Sequence, residues 1–320
     1  SISNQTSGTN FADIIKLQAV ENVAGVCSGL FTGNVDVQLS QQNMTPSVTS
    51  GLSFNVNGTS GTAIGKYPTY IPNITLNFGA DSKATIPTPV YLDAGQIRLH
   101  AKYNVAGVNL VGESTDFWVS PAKLVIAATS SGSGINSNSS SSAIQHKAGQ
   151  IFDLTVTAYN SLGTAATNVT VNYLPNDIQL LLTRTGPIAG GVNGTFTYGN
   201  GTILSDLTPT YQSVTLSEFE LGASYNNSAS YSEVGLLTLD LQDKNYGDQS
   251  IVIPATDINI GRFTPDYFEQ TVVEQGGLFA VCNQNTTTFA YTGQVTVSDA
   301  AKGAISYLVN PVVELTAKNV

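Results

Sequence analysis

The sequence predicts an all-β protein built of tandem immunoglobulin-like β-sandwich domains, and three observations carry that expectation. First, a short pattern occurs twice, 140 residues apart: Tyr91-Leu92-Asp93-Ala94-Gly95-Gln96-Ile97-Arg98-Leu99-His100-Ala101 and Tyr231-Ser232-Glu233-Val234-Gly235-Leu236-Leu237-Thr238-Leu239-Asp240-Leu241. Second, apolar residues alternate with polar ones after each glycine. That period places Ile97, Leu99 and Ala101, or Leu237, Leu239 and Leu241, on one face of a strand, with Arg98, Thr238 and Asp240 facing out. Third, charged residues make up only 11% of the chain, against about 25% in an ordinary globular protein. Ser, Thr, Asn and Gln carry the polar surface, and Gly reaches 30. Such a mixture suits pleated, half-buried strands joined by many turns.

The strands follow in order. Segments 14–20, 35–39, 52–56, 74–78, 96–103 and 115–119 are strand candidates separated by turn clusters such as Asn57-Gly58 and Pro87-Thr88-Pro89. Short strands at roughly 8–12-residue spacing indicate a sandwich. The one stretch that could pass as a helical turn, 11–17, is read as strand because it repeats. Ile14–Glu21, Phe152–Asn160 and Val312–Asn319 resemble one another, with Ala19, Ala158 and Ala317 aligned. This is an early strand of a repeating unit, and the Tyr-x-acid-x-Gly motif opens a late one. Val119-Ser120-Pro121 and Phe263-Thr264-Pro265 both follow a late strand, 144 residues apart.

The expected organisation is therefore a first unit at 1–120, lacking a clear opening strand, a complete second unit at 121–264, and the opening strands of a third at 265–320. The serine-rich run at 129–146 falls inside unit two and is read as a mobile surface loop, with an interdomain linker as the fallback. In the third segment, either the strands pack on unit two, they borrow strands from another polypeptide, or 278–291 forms a hairpin of its own.

Composition also excludes functions. Net charge is −10 and the isoelectric point is near 4.5. Twelve basic residues spread thinly offer no stripe to track a phosphate backbone, so nucleic acid is not an expected partner. No apolar run is long enough for a membrane-spanning helix. Ser1 opens straight into Ser/Asn/Thr-rich sequence, as in a mature chain or an excised segment. The two cysteines, Cys27 and Cys282, either pair with each other, pair outside this segment, or stay free.

The strings Pro89-Val90-Tyr91-Leu92-Asp93-Ala94-Gly95-Gln96-Ile97 and Phe117-Trp118-Val119-Ser120-Pro121-Ala122 resemble the C-terminal region of the MshQ family. So do Gly261-Arg262-Phe263-Thr264-Pro265-Asp266-Tyr267-Phe268 and Phe289-Ala290-Tyr291-Thr292-Gly293-Gln294. The resemblance covers most of the chain in order. It implies a piece of a large envelope or extracellular protein of a Gram-negative bacterium, from the biogenesis locus of the mannose-sensitive haemagglutinin, a type IV pilus. The lectin-like, concanavalin-type domain usual at that family's N-terminus has no counterpart here. The family's C-terminal region has no known function and supplies no catalytic residues to carry over.

Candidate chemistry is sparse. Only His100 and His146 could act as imidazole bases, and both read as solvated surface residues. No nucleophile-elbow, zinc-protease, P-loop or dinucleotide-binding pattern occurs. Asp93 and Glu233 share a motif position, which argues for a structural role such as binding backbone N–H groups at a corner. Tyr91, Gly95, Tyr231 and Gly235 complete that structural motif. Asp240, Asp243, Asn245 and Asp248 form the densest set of oxygen ligands, but their spacing departs from an EF-hand. They read as a solvated turn, with calcium as the alternative. Tyr91, Tyr231 and Trp118 could stack a sugar, although core or corner packing explains them as well. N-x-S/T sequons such as Asn73-Ile74-Thr75 bear on function only where the source glycosylates them.

The expectation is a non-enzymatic structural and interaction segment with no cofactor, serving as spacer or display module in pilus biogenesis or adhesion at a bacterial surface. Its partners would be other domains of the same large polypeptide or pilus-associated proteins. The alternatives are an adhesin or lectin-type module binding a host or surface glycan and, behind that, a carboxylate-dependent glycoside hydrolase.

Overall fold

The computed structural model describes residues 1–137, 139–143, 145–198, 201–216, 218–278, 282–284, 287–289 and 307–320. For Leu278, 282–284, 287–289, Tyr307 and Leu308 it describes the backbone alone. Within those residues the regular structure is strand throughout, apart from a single 3-10 turn at Ala166–Asn168.

The first unit is a sandwich. Its larger sheet runs in the order Gln5–Thr6, Phe117–Ser120, Gly95–Val105, Gly33–Thr45, Gly65–Lys66. Val108–Glu113 also pairs with Gly95–Val105, and Asn73–Phe78 with Gly33–Thr45. The facing layer is made of short pieces, Phe54–Val56 with Val90–Tyr91 and Lys83–Thr85 with Lys16–Gln18. Alternation fills the space between them. Val37, Leu39, Leu76, Phe78, Ile97 and Leu99 point inward and meet Phe54, Val56 and Tyr91. The strand expected at 14–20 is shorter, because Phe11 and Ile15 turn into this core and the pairing begins at Lys16.

The second unit repeats the plan. His146–Lys147, Ile258–Thr264, Gly235–Tyr246 and Ile178–Gly186 form one layer. Lys123–Ser130, Phe152–Tyr159, Ala223–Tyr231 and Thr195–Tyr198 form the other, and Ile251–Thr256 pairs with both. Leu124, Ile126, Leu154, Val156, Leu180, Leu182, Leu237, Leu239 and Leu241 are buried between the layers. The described residues of the loop at 129–146 are mostly exposed, but the loop is anchored on the core. Ser133–Gly134 folds back on the preceding strand, Ile135 drops into the core, and its carbonyl accepts the Gly261 amide at 2.9 Å.

Registers show the two units to be equivalent. Gly95 stands opposite Val119 as Gly235 stands opposite Phe263. Gln5 lies parallel to Val119 as His146 lies parallel to Phe263. Leu17 pairs with Ala84 as Val156 pairs with Ser224. The motif glycines have a geometric reason. Gly95 sits at φ +127°, and a Cβ there would lie 2.5 Å from the Thr45 carbonyl oxygen; Gly235 sits at φ +138°, 2.2 Å from that of Gly186. In each unit the late strand presses its first residue against the backbone of its neighbour, where no side chain fits.

Beyond Thr264, Tyr267–Glu274 and Val312–Lys318 form an antiparallel ribbon, Tyr267 opposite Lys318. The same register joins Lys123 to Tyr159 in unit two. Val313, Leu315 and Ala317 therefore correspond to Leu154, Val156 and Ala158, which are core. In the ribbon Val313 is 44% and Leu315 63% exposed. Within the expected hairpin at 278–291, Cys282–Gln284 pairs antiparallel with Thr287–Phe289, Cys282 opposite Phe289, while residues 279–281, 285–286 and 290–291 and the side chain of Cys282 lie outside the described residues. Cys27 is an exposed free thiol on Val26–Gly29.

Candidate functional site

A set of buried polar contacts lies where unit one meets unit two. Asp93 leaves the first sandwich at its lower corner and is fully buried. Its carboxylate accepts the amides of Leu52 at 2.8 Å and Ala94 at 2.9 Å from its own unit, and that of Asn172 at 3.0 Å from unit two. The Asn172 side chain returns a bond to the Ser50 carbonyl at 3.2 Å. Burial raises the Asp93 pKa above its ordinary value; the three amides and the nearby Lys66 ammonium oppose that rise. A buried carboxylate with this many donors is satisfied, and removing a partner is costly.

Four further contacts close the joint. Asn160 ends the early strand of unit two, and its side-chain amide donates to the Leu92 carbonyl at 3.0 Å. The next amide, Ser161, donates to Ser7 at 3.1 Å. Trp118 packs edge-on against Tyr246, ring centroids 5.3 Å apart, and the Tyr246 hydroxyl donates to the Val119 carbonyl at 3.4 Å. Ala94, although part of unit one, is buried in the core of unit two.

Asp93 thus binds backbone amides at the corner, while Glu233, at the same motif position, does not. Glu233 is half-buried and makes no hydrogen bond among the described residues. Tyr91 and Tyr231 are fully buried. Their hydroxyls meet Asn43 and Ser205, each at 2.9 Å, so neither offers a face to a sugar.

The reading of both histidines as solvated is corrected. His100 is stacked on Tyr67 at 4.3 Å, with Nε2 2.8 Å from the Gln42 side chain, and burial holds its pKa below the ordinary value. His146 is packed edge-on to Phe152 and Phe263 and bonded to the Gln150 carbonyl. Neither bonds a hydroxyl or thiol that could serve as nucleophile.

The Asp240–Asp248 group is also not one solvated turn, because the strand continues to Tyr246. Asp243 is buried and accepts the Tyr173 hydroxyl at 2.9 Å and the amides of Asn176 and Asp177 at 3.1 and 3.0 Å. Asp248 accepts the side-chain amides of Asn176 and Asn245. Asp240 faces outward and accepts the Tyr211 hydroxyl at 2.5 Å. Asp243 alone reaches the joint, and only through a neighbour: it holds Tyr173, whose ring lies 5.6 Å from that of Tyr246. Among the described residues no group of three or more His, Cys, Asp or Glu could hold a metal ion.

Residues 1–113 match the family described as "Domain of unknown function (DUF6701), first Ig-like domain", and residues 233–320 match "DUF6701, third domain". The third-domain match begins inside the second core, at the Glu233 loop. No curated protein matches the chain. A solved structure, "Zebrafish RET Cadherin Like Domains 1 to 4", aligns at 9% identity over 79% of this chain and 56% of that one, with a TM-score of 0.19. The two matched regions and the sandwich geometry define a chain of tandem Ig-like domains. No helix among the described residues is long and apolar enough to cross a membrane.

Proposed function

We propose that this chain is a non-enzymatic spacing and interaction module of a bacterial surface protein, related to the MshQ family and working in type IV pilus biogenesis or adhesion. The observation that carries this reading is the joint. Its buried carboxylate, Asp93, is spent on three backbone amides drawn from both sandwiches, and Asp243 on a tyrosine hydroxyl and amides of the second sandwich, so neither faces a cleft. A catalytic carboxylate pair needs room for substrate between its members. The test is protease treatment of intact cells of the encoding organism. The segment is expected to be digested without lysis, and digestion only after lysis would overturn the surface placement.

A second reading, glycan binding, has one observation in its favour. Tyr67, 39% exposed, lies edge-on to Tyr70, with the Lys102 ammonium 4.7 Å over the Tyr70 ring. Gln42 and Lys66 line a small cavity of about 100 Å³ beside Tyr67. Saturable binding on a glycan array that is lost in Tyr67→Ala would favour it.

A further inference from the structure

We propose that the surface made by Ala148-Gly149 and Ser232 is the seat of the next Ig-like unit, the one opened by the ribbon Tyr267–Glu274 and Val312–Lys318. The unit would be held there by the same joint that couples units one and two. The inference deepens the spacing role and rests on it, by naming the surface and the partner it fits.

Five features recur bond for bond. In unit one, Ser7 donates its amide to Ser120 and Gly8 to Tyr91, both at 2.8 Å; in unit two, Ala148 donates to Thr264 at 2.8 Å and Gly149 to Tyr231 at 2.7 Å. These bonds build the seat. The incoming strand is anchored alike, the Ala122 amide on Tyr159 at 2.8 Å and the Asp266 amide on Lys318 at 2.7 Å. It then leaves through asparagine. Asn160 donates to Leu92 at 3.0 Å, and Asn319 donates to Ser232 at 3.1 Å. The residue after it docks by its amide, Ser161 on Ser7 at 3.1 Å and Val320 on Ala148 at 2.9 Å.

Glycine at the centre of each seat has a steric cause. Gly8 has φ +76°, and a Cβ there would lie 2.9 Å from the Ser161 nitrogen; Gly149 has φ +83°, and a Cβ there would lie 2.7 Å from the Val320 oxygen. The seat thus fits a partner of defined form. That partner is a strand ending in a residue with a side-chain amide donor, followed by a backbone N–H, brought in so close that the seat cannot carry a side chain. Because main-chain groups do most of the binding, the coupling tolerates sequence change elsewhere. It sets the direction of each unit from the one before, which is what a spacer requires.

Residue-resolved amide hydrogen exchange on the 320-residue chain tests the proposal. The Ser161 and Val320 amides should both be protected, although Val320 is the last residue of the chain tested and its side chain is exposed. Asn319→Asp removes the donor to Ser232 and should speed Val320 exchange roughly five- to tenfold, the worth of about one hydrogen bond, while leaving Ser161 unchanged. Asn160→Asp should do the reverse. Val320 exchanging at the unstructured rate in the unaltered chain would overturn the proposal, and so would Asn319→Asp leaving Val320 protection intact. Neither result bears on protease accessibility or glycan binding, so failure here is distinct from failure of the spacing role.

Discussion

The two Tyr-x-acid-x-Gly loops have the same backbone and different surroundings. In both, the tyrosine is fully buried with its hydroxyl 2.9 Å from a polar side chain, and its carbonyl takes a glycine amide. In both, the glycine presses on a neighbouring carbonyl at positive φ. The acids differ. Asp93 binds three amides and bridges two units, whereas Glu233 is half-buried with no hydrogen bond among the described residues. Tyrosine and glycine therefore belong to the sandwich, and the acid belongs to whatever docks beneath it. The comparison can be broken at the core, at the first acid or at the second.

The core should respond most. Leu239 is fully buried and Leu99 slightly less so, so Leu239→Ala should cost roughly 2–5 kcal/mol and Leu99→Ala should fall toward the lower end of that range. Urea unfolding followed by probes in each unit would measure both. A loss below about 1 kcal/mol at Leu239 would mean that the cavity collapses and the units are not equivalent in packing.

Asp93→Asn comes next. It keeps the shape but replaces one accepting oxygen with an N–H donor, next to amides that need acceptors. A loss of roughly 1–3 kcal/mol is expected, together with loosening of unit one from unit two. Its pH dependence has an unusual sign. The folded-state pKa of Asp93 is raised, chiefly by burial. On acidification the folded chain therefore binds this proton before the unfolded chain does. This group adds stability as pH falls through its folded pKa toward the ordinary value of 3.8, and the gain is lost as pH rises again. Asparagine cannot take up that proton. The deficit of Asp93→Asn relative to the unaltered chain should grow from neutral pH toward pH of about 4. A deficit that shrinks over this interval would show the joint to be held by the negative charge itself.

Sequence reading reached the Tyr and Gly positions because their causes are local: a fixed spacing, and alternation that sends Ile97 and Leu237 inward. It reached the early strand for the same reason. Partners far along the chain were beyond it. Asp93 meets Asn172, 79 residues away, and no spacing rule links them. His100 and His146 look solvated beside polar neighbours, yet Tyr67, Phe152 and Phe263 arrive from other strands to cover them. Asp243 looked like a turn residue until Tyr173 and two amides closed over it. The Gly8 and Gly149 seats carry no side chain and so leave little trace in a sequence beyond the glycine itself.

The smallest effect is expected at Glu233, and it is the sharpest test of the comparison. Glu233→Gln keeps size and removes charge at a residue with no hydrogen bond among the described residues. Substitutions at such positions usually change stability by no more than about 0.5 kcal/mol. The pair Asp93→Asn and Glu233→Gln should therefore differ several-fold, although both alter the same motif position. Thermal unfolding of the two variants under one buffer condition gives the contrast directly. Equal losses would mean that the acid serves the corner of its own sandwich in both units, and that the Asn172 contact is incidental. A near-silent Glu233→Gln beside a costly Asp93→Asn would place the value of the acid in the joint, because the fold around the two residues is the same and only the docked neighbour differs.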